Sequence, residues 1–452
     1  MEAKPATPSP PPMLAADLLQ HHVADNVEFL NTLPDEEAAA LIARLPIERA
    51  VEILDQPEFY RAPEIIELLP PERAAALLTG MADDRAADVI HLLENPAALL
   101  ARLAPETKAS IERLLVYPPD TAGSLMTTEF VSVPSSWTVE QTLQHVRQVE
   151  RTRETIYAIY VLDPQTKRLV HSVPLRRLIS AAPDAPILSA ARPYAPITTS
   201  PLTDREEVAR LFRKYDLLAV PVVDNAGRVL GIVTVDDAID AMLAESTEDV
   251  QKFGGVGAIA TPYLQIDFGQ MIGKRAGWLC VLFLSEMLTA SAMQHFESEL
   301  EQALVLTLFI PLIMSSGGNS GSQATSLLIR ALALGELHLG DWWRVALREL
   351  PMGIALGAIL GVIGVVRIAM WQKLGLYDYG EHWMLVALTV GATLIGIVTF
   401  GSLSGSMLPF VLQRFGLDPA SASAPFVATL VDVTGLVIYF SVAFVILRGT
   451  LL

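Results

Sequence analysis

Five long apolar segments in the second half of the chain limit its possible folds more than any other feature. They cover residues 276–295, 304–332, 343–370, 383–412 and 421–447. About 20 consecutive apolar residues cross the hydrocarbon of a bilayer as a helix, which satisfies its own backbone hydrogen bonds there. Tryptophans stand at several segment edges, as expected for residues at the membrane interface. The sequence therefore predicts a five-span, all-α transmembrane domain over residues 275–452.

Charge is divided between the two halves as unevenly as hydropathy. Residues 1–268 contain 23 Lys and Arg against 39 Asp and Glu, a net charge of −16, whereas residues 269–452 carry a net charge of −2. Such an acidic first half disfavours nucleic acid as a partner and suits cations.

The number of basic residues near the apolar segments also differs between the two sides of the membrane. On the side of the acidic half lie Lys274, Arg275, Arg330, Arg344, Arg348 and Arg414, and on the other side lie Arg367, Lys373 and Arg448. This asymmetry predicts a multi-pass protein with a cytoplasmic N-terminus and an outer C-terminus.

The N-terminal region begins with a proline-rich stretch, residues 1–23, which has no apolar core of a signal peptide. We expect a disordered leader there. In residues 24–116, "LPDEEAAALIARLP" and "LLPPERAAALLTGM" share one layout of proline, acids and an Ala/Leu run. Proline and acids in a first turn favour a helix start. Short helices restarting at each proline predict an all-α N domain, either a superhelical stack or an ordinary bundle.

Strands and helices alternate over residues 117–244. "TIYAIYVLD" and "RLVHSVPLRRLI" predict strands followed by a helix, and the order recurs in "REEVARLFRKYD" and "LLAVPVVDNAGRVLGIVTVDDAIDAM". This repeat resembles a tandem pair of CBS domains of α/β fold, with a divergent first copy. The resemblance implies that Thr234 and Asp237 can hold the ribose of ATP or another adenine nucleotide. Alternatively, the pair caps the helix that follows.

A lone acid, Asp432, lies near the middle of the last apolar segment, in "PFVATLVDVTGLVIYF". Charge at membrane depth is costly, and this segment holds no Lys or Arg beside it. Asp432 is therefore protonated, faces water or binds a cation, and we favour a cation. Thr429 and Gly435 lie three residues to either side, and we expect them to line the same path. Glu286, in the first segment, raises the same question and is left unassigned.

A second polar interruption, "SSGGNSGSQ", lies in the second apolar segment. Gly317 and Gly318 would let the helix open and turn carbonyls toward a cavity, and Pro311 adds a weak point. Asn319 and Gln323 are four residues apart and share a side. A phosphate-binding loop would need a lysine that this stretch lacks. We predict that these five residues line an ion path.

The third apolar segment contains "GIALGAILG", in which Gly353, Gly357 and Gly361 recur every four residues. Small residues at this spacing allow two membrane helices to approach closely. We predict a packing face there rather than a chemical site.

The membrane motifs "SGGNSGSQATSLLIRALALGEL" and "LDPASASAPFVATLVDVTGLVIYF" make the chain similar to the MgtE family of magnesium channels and transporters. The resemblance covers nearly the whole chain, including a connecting plug helix at residues 245–274. It implies a homodimer in the plasma (inner) membrane, with its pore between the second and fifth spans. Mg²⁺ would be both the transported ion and the regulator, closing the pore by bridging acidic cytosolic faces. Asp432 matches the family's pore carboxylate, and Asp418 matches an acid on the cytosolic side of the pore.

The other acids that we assign to Mg²⁺ lie where the two halves connect: Glu248, Asp249 and Asp267. The plug stretch "GGVGAIATPYLQI" has no acid before Asp267, which predicts fewer or differently placed sensor sites. Mg²⁺ gives up its water reluctantly, so a partly hydrated ion needs few charged ligands in the membrane. Enzymatic activity is not expected. The alternatives are a CBS-regulated transporter of another divalent cation or solute, and a membrane-tethered nucleotide sensor.

Overall fold

The computed structural model describes residues 17–150, 153–259, 261–263 and 266–451, and the chain divides into two compact units, Met1–Leu243 and Ala244–Leu452. Most of the expected leader lies outside the described residues. The predicted boundary at residue 244 falls inside one helix, because Val235–Phe253 is continuous. Of the expected plug helix at residues 245–274, residues 245–253 lie in this helix and residues 268–274 begin the next one, Phe268–His295, whereas the described residues 254–259 are not helical.

Short helices build the N-terminal part of the first unit. They are α1 (Val23–Leu30), α2 (Asp35–Arg44), α3 (Ile47–Leu54), α4 (Ala62–Leu68), α5 (Pro71–Gly80), α6 (Asp83–Leu92), α7 (Pro96–Leu100) and α8 (Pro105–Leu114). Proline occupies the first turn of α4, α5, α7 and α8, where no backbone donor is lost. Each helix packs on the one two places along the chain, from α1 on α3 to α6 on α8. This regular order confirms the superhelical alternative.

The remainder of the first unit alternates between helices and strands. Its elements are α9 (Ala122–Leu125), β1 (Ser132–Pro134), α10 (Val139–Val149), β2 (Ala158–Leu162), β3 (Leu169–Pro174), α11 (Leu175–Ser180), α12 (Arg205–Tyr215), β4 (Ala219–Val223), β5 (Val229–Thr234) and α13 (Val235–Phe253). Strand β2 pairs in parallel with β1 and antiparallel with β3, and β4 pairs antiparallel with β5. The predicted strands of both copies are confirmed.

The two α/β copies differ in how they are packed. Buried side chains of the second copy, including Val208, Phe212 and Val233, join those of the N-terminal helices in one continuous core. The first copy has a separate core around Val133, β2 and α10. A strand-like segment before the first copy also pairs with β5, since Thr127 exchanges backbone hydrogen bonds of 2.9 and 3.0 Å with Ile232. The second copy and the N-terminal helices are therefore one packed body.

The second unit contains α14 (Phe268–His295), α15 (Glu297–Gln302), α16 (Ile310–Ala333), α17 (Trp342–Lys373), α18 (Trp383–Arg414) and α19 (Ala424–Leu447). Among the described residues, five of its helical stretches are long and apolar enough to cross a membrane: Phe268–His295, Leu304–Ala333, Leu339–Lys373, Trp383–Arg414 and Ala424–Leu447. All five predicted spans are thus confirmed. Helix α18 lies at the centre and packs on α16, α17 and α19, and α14 packs on α19.

Glycines join the central helices. A Cβ on Gly357 would lie 2.6 Å from the Cα of Ile395, and a Cβ on Gly361 would lie 2.9 Å from the carbonyl oxygen of Gly391. Only hydrogen fits between backbones at this separation, so α17 and α18 pack through the predicted glycine face. That prediction is confirmed.

Candidate functional site

Asp432 lies in the third turn of α19, half-buried in the membrane unit. The helix is started by Ser423, whose hydroxyl accepts the backbone N–H of Phe426 at 3.3 Å. Among the described residues, the Asp432 carboxylate has no hydrogen bond and no ion pair. A carboxylate at this depth with no protein partner needs water, a proton or a cation beside it.

The expectation that Gly317 and Gly318 open the second span is wrong. Helix α16 is unbroken, and both glycines are buried. A Cβ on Gly317 would meet Ile397 and Val431, and a Cβ on Gly318 would lie 3.3 Å from that of Ala428. These glycines bring α16 against α18 and α19, so they are packing positions and do not line a cavity.

An exposed polar row does follow one side of α16. The side-chain amide of Asn319 donates to the hydroxyl of Ser315 at 3.3 Å, and both residues are exposed. The contacts of Gly317 and Gly318 with α19 set these residues within about one helical turn of the depth of Asp432. Pro311 is exposed one turn nearer the start of α16. The row and the acid thus lie at similar depths on neighbouring helices.

Two other predicted lining residues are buried. The hydroxyl of Thr429 donates to the carbonyl of Pro425 at 3.0 Å, and only 8% of the residue is exposed. Gly435 packs against Met314, whose sulfur would lie 3.2 Å from an added Cβ. Both residues stabilise helix contacts inside the chain. The prediction that they line the ion path is therefore replaced by a packing role.

Gln323 is exposed four residues beyond Asn319 and continues its row. It lines a cavity of about 450 Å³ between α16, α17 and α18, together with Ser320 and Ser402. The hydroxyls of those two serines are 2.7 Å apart. Gln323 thus shares a side of the helix with Asn319, as expected, and its role in lining the ion path stays a prediction.

Glu286 reaches the same depth as Asp432 on the adjacent helix. The indole N–H of Trp278 donates to the hydroxyl of Ser423 at 2.9 Å, which fixes the register of α14 against α19. A stacked pair of phenylalanines joins the same two helices near their other ends. Glu286 is eight residues beyond Trp278, and Asp432 is nine beyond Ser423, so their depths agree within one turn. At this separation the carboxyl groups of Glu286 and Asp432 interact electrostatically.

The predicted cation ligands at the other end of the membrane unit have different surroundings. The Asp418 carboxylate accepts the N–H of Ala420 at 2.8 Å and the ammonium of Lys252 at 2.5 Å. Lys252 also pairs with Glu248 at 2.6 Å. Burial alone would lower the pKa of Lys252, but the hydrogen bonds and charges of Asp418 and Glu248 raise it above its ordinary value.

The remaining two predicted ligands take no part in this group. Asp267 begins α14 and accepts the N–H groups of Gly269 and Gln270 at 2.7 and 3.2 Å, so its carboxylate acts as a helix cap. Asp249 is partly buried on α13, next to Glu248.

The first unit contains a cluster of three acids that the sequence did not reveal as a group. One oxygen each of Asp84, Glu154 and Asp237 lies within 4.8 Å of the others. Asp84, in the first turn of α6, is buried, and its Oδ1 has no hydrogen-bond partner. Asp237, in the first turn of α13, accepts the backbone N–H and the hydroxyl of Thr234. Glu154 lies at the exposed edge.

Electrostatics make this cluster unfavourable without a counter-charge. Burial and the charge of Asp84 raise the pKa of Asp237 to about 8. Burial raises the pKa of Glu154 to about 7, although a hydrogen bond from Thr127 opposes the change. Burial and the charge of Glu154 raise the pKa of Asp84 well above its ordinary value. At neutral pH the cluster therefore holds either protons or a cation.

The neighbouring guanidinium does not supply that charge by direct contact. Arg85 donates instead to the carbonyls of Leu54, Gln56 and Phe59 at 3.2–3.3 Å. Within the described part of the chain, the three clustered carboxylates form no ion pair. Trans ligands of a bare Mg²⁺ would be about 4.2 Å apart, from metal–oxygen distances near 2.1 Å. The three oxygens lie within 4.8 Å of one another, so one Mg²⁺ ion could contact them directly or through its water.

Sequence reasoning identified Asp237, as a nucleotide ligand, but missed Asp84 and Glu154. Two successive acids in "MADDRAADV" were the only local signal, and acids at a helix start are usual. The three residues are distant in sequence. The shared core of the N-terminal helices and the second copy brings Asp84 near Asp237, and Glu154 joins them from the segment between α10 and β2.

Family comparisons agree with both parts of this arrangement. The model described as the MgtE divalent cation transporter matches residues 310–442, and that of the MgtE intracellular N domain matches residues 21–120. A CBS domain model matches residues 193–244. The chain is also 41% identical over 433 residues to the magnesium transporter MgtE of Thermus thermophilus. The matched region spans 95% of this chain and 94% of that protein. The chain belongs to the MgtE family.

Other MgtE proteins match shorter parts of the chain. The magnesium transporter MgtE of Enterococcus faecalis is 34% identical, over 76% of this chain and 73% of its own. A crystal structure of the cytosolic domain of the Mg²⁺ channel MgtE in complex with ATP is 37% identical, with a TM-score of 0.48, and covers 50% of this chain and 92% of its own. The soluble part of a magnesium transporter is 33% identical, with a TM-score of 0.48, over 51% and 91%. The resemblance to the MgtE family that the sequence predicted is confirmed.

Proposed function

We propose that the chain transports Mg²⁺ across the plasma (inner) membrane as a homodimer, with Asp432 as the charged group of the ion path. The observation that carries the proposal is the depth of Asp432, level with the exposed row of Ser315 and Asn319 on the neighbouring helix. Carboxylate, amide and hydroxyl oxygens are suitable partners for a hydrated Mg²⁺ ion. A relative named as a magnesium transporter matches 95% of the chain, which supports this cargo.

We propose further that Mg²⁺ regulates transport from the cytosolic side. The cluster of Asp84, Glu154 and Asp237 joins the start of α6 to the start of α13. A divalent cation there would hold the N-terminal helices against the second CBS copy, whereas loss of the cation would leave repelling carboxylates. Bridging acidic faces in this way is expected to close the pore, with the N-terminus in the cytoplasm and the C-terminus outside.

ATP or another adenine nucleotide is a candidate modulator, since the cytosolic domain of a related channel is known in complex with ATP. The candidate residues for the ribose are Thr234 and Asp237. Thr234 is buried and donates its hydroxyl to Asp237. Nucleotide binding through Asp237 would therefore compete with the acid cluster for the same carboxylate.

The test of the ion path is Mg²⁺ influx into proteoliposomes containing wild-type protein, Asp432→Asn or the control Glu381→Gln. The Asp432 variant removes the charge at nearly constant volume, and we expect its flux to fall at least about tenfold. Glu381 is exposed between α17 and α18. Its variant removes a carboxylate away from the path and should transport normally. Wild-type flux in Asp432→Asn would exclude this carboxylate from the path.

A further inference from the structure

Lys252 occupies the position that a bound cation would take between two acids predicted to bind Mg²⁺. Its ammonium lies 2.6 Å from a carboxylate oxygen of Glu248 and 2.5 Å from one of Asp418. Glu248 lies one turn before Lys252 on α13, whereas Asp418 comes from the segment between α18 and α19. The lysine therefore ties α13 to the end of the membrane helices through two ion pairs.

These ion pairs are partly shielded from water. The side chains of Lys252, Glu248 and Asp418 are 27%, 25% and 36% exposed. Water screens a charge pair less at such sites than on an open surface, so the interaction is stronger than a typical surface ion pair. Removing the ammonium would leave two carboxylates facing each other with less counter-charge, and a divalent cation would then bind there more favourably.

Lysine is suited to give up this position. Its ammonium is a compact point charge on a flexible four-carbon stem, so it can leave the two acids without any change in the helix that carries it. Mg²⁺ brings twice the charge and accepts carboxylate oxygens directly or through water. The ammonium and the ion cannot occupy the space between the same two oxygens together.

We propose that Lys252 is a tethered cation that competes with Mg²⁺ for Glu248 and Asp418, and so sets the Mg²⁺ concentration at which transport is inhibited. This inference rests on the proposed regulation by cytosolic Mg²⁺. Competition makes binding of Mg²⁺ at this position depend on displacing the ammonium. Inhibition thus begins at a higher Mg²⁺ concentration than it would if no ammonium lay between the two carboxylates.

The first experiment measures Mg²⁺ influx into proteoliposomes while Mg²⁺ on the side of the acidic half is varied. Lys252→Gln removes the competitor, and we expect the half-inhibiting Mg²⁺ concentration to fall by about tenfold, or about 1.4 kcal/mol. Lys252→Arg keeps the positive charge and should restore a value near that of the wild type. Lys373→Gln, at the exposed end of α17, is the matched control and should change nothing.

A second readout separates competition from a purely structural role and from the proposed regulation. Hydrogen exchange of residues 244–253 in the full chain, titrated with Mg²⁺, should show a lower midpoint in Lys252→Gln than in the wild type. An unchanged midpoint, or a higher one, would overturn the inference. If Lys252 only held the helices together, its removal would loosen them and weaken Mg²⁺ binding, which raises the midpoint. If wild-type flux ignores Mg²⁺, regulation fails, and the exchange midpoint still decides whether Lys252 competes.

Discussion

Replacing Asp237 by asparagine should weaken the pH dependence of local stability around the acid cluster. The pKa of Asp237 rises from 3.8 to about 8 because of burial and the charge of Asp84. The folded state therefore binds a proton that the unfolded state has already lost between these two values. Under linkage, stability without metal falls as pH rises from about 4 to 8 and is level above that range. Asparagine has no such proton to lose, so the share of this slope that comes from Asp237 should disappear, whereas Asp84 and Glu154, whose pKa values are also raised, keep theirs.

The size of the effect follows from the same change in pKa. A rise from 3.8 to about 8 corresponds to roughly 6 kcal/mol in total, at 1.36 kcal/mol per pH unit. Only the part between pH 6 and pH 8, roughly 2.7 kcal/mol at most, contributes to an experiment over that range. Local relaxation and water at the exposed Glu154 edge reduce this further, and we expect about 2 kcal/mol, or roughly 30-fold in an opening equilibrium.

Hydrogen exchange of α6 and the start of α13 in the full chain measures this equilibrium. Corrected for intrinsic rates, wild-type protection without Mg²⁺ should fall about 30-fold from pH 6 to pH 8, and saturating Mg²⁺ should restore it. Asp237→Asn should show a smaller fall in protection and little of the Mg²⁺ effect. Asp236→Asn, with the same chemical change at an exposed neighbour, serves as the control. Equal Mg²⁺ protection in Asp237→Asn and the wild type would refute the cluster as a cation site.

Three further changes test other parts of the structure. Glu286→Gln removes the acid at the depth of Asp432 and should raise the KM for Mg²⁺ influx about threefold with little change in maximal flux; an unchanged KM would place Glu286 outside the path. Gly357→Val puts methyl groups where α18 already lies, which should lower the stability of the membrane unit by about 3 kcal/mol and reduce the yield of monodisperse protein in size-exclusion chromatography. Gly277→Val, with open space around it, is the control and should not lower that yield. Thr234→Val should weaken ATP binding measured by calorimetry, and unaltered affinity would remove this residue from the nucleotide site.

Local signals explain why much of the fold could be predicted from the sequence. Proline and acids at helix starts marked the short N-terminal helices, because those residues act within a single turn. The spans were readable because bilayer thickness fixes the length of a helix that crosses it. Gly353, Gly357 and Gly361 were correctly assigned because their spacing alone defines one helix face.

The errors arose where a residue's role depends on neighbours from distant parts of the chain. Gly317 and Gly318 were expected to open a helix, yet contact with α18 and α19 makes them packing positions. A glycine pattern looks the same in both cases. The neighbours of Asp84 in the cluster and the contact of Lys252 with Asp418 were invisible for the same reason, since neither contact is local in sequence.

The proposed ion path at Asp432 and the acid cluster of Asp84, Glu154 and Asp237 differ in a way that suits transport and sensing respectively. In the described membrane unit, Asp432 has one acid, Glu286, at its depth and otherwise neutral polar groups nearby, so an ion there keeps much of its water and can leave again. The cytosolic cluster sets three carboxylates within 4.8 Å, with pKa values raised toward or above neutrality. Mg²⁺ binding at the cluster must displace protons, so the Mg²⁺ affinity of the cluster should depend on pH. The Mg²⁺ affinity of the proposed ion path should depend chiefly on hydration. A fall in cytosolic pH from 8 to 6 should therefore raise the Mg²⁺ concentration needed for inhibition. Substituting Asp237 by asparagine should flatten that dependence without abolishing flux.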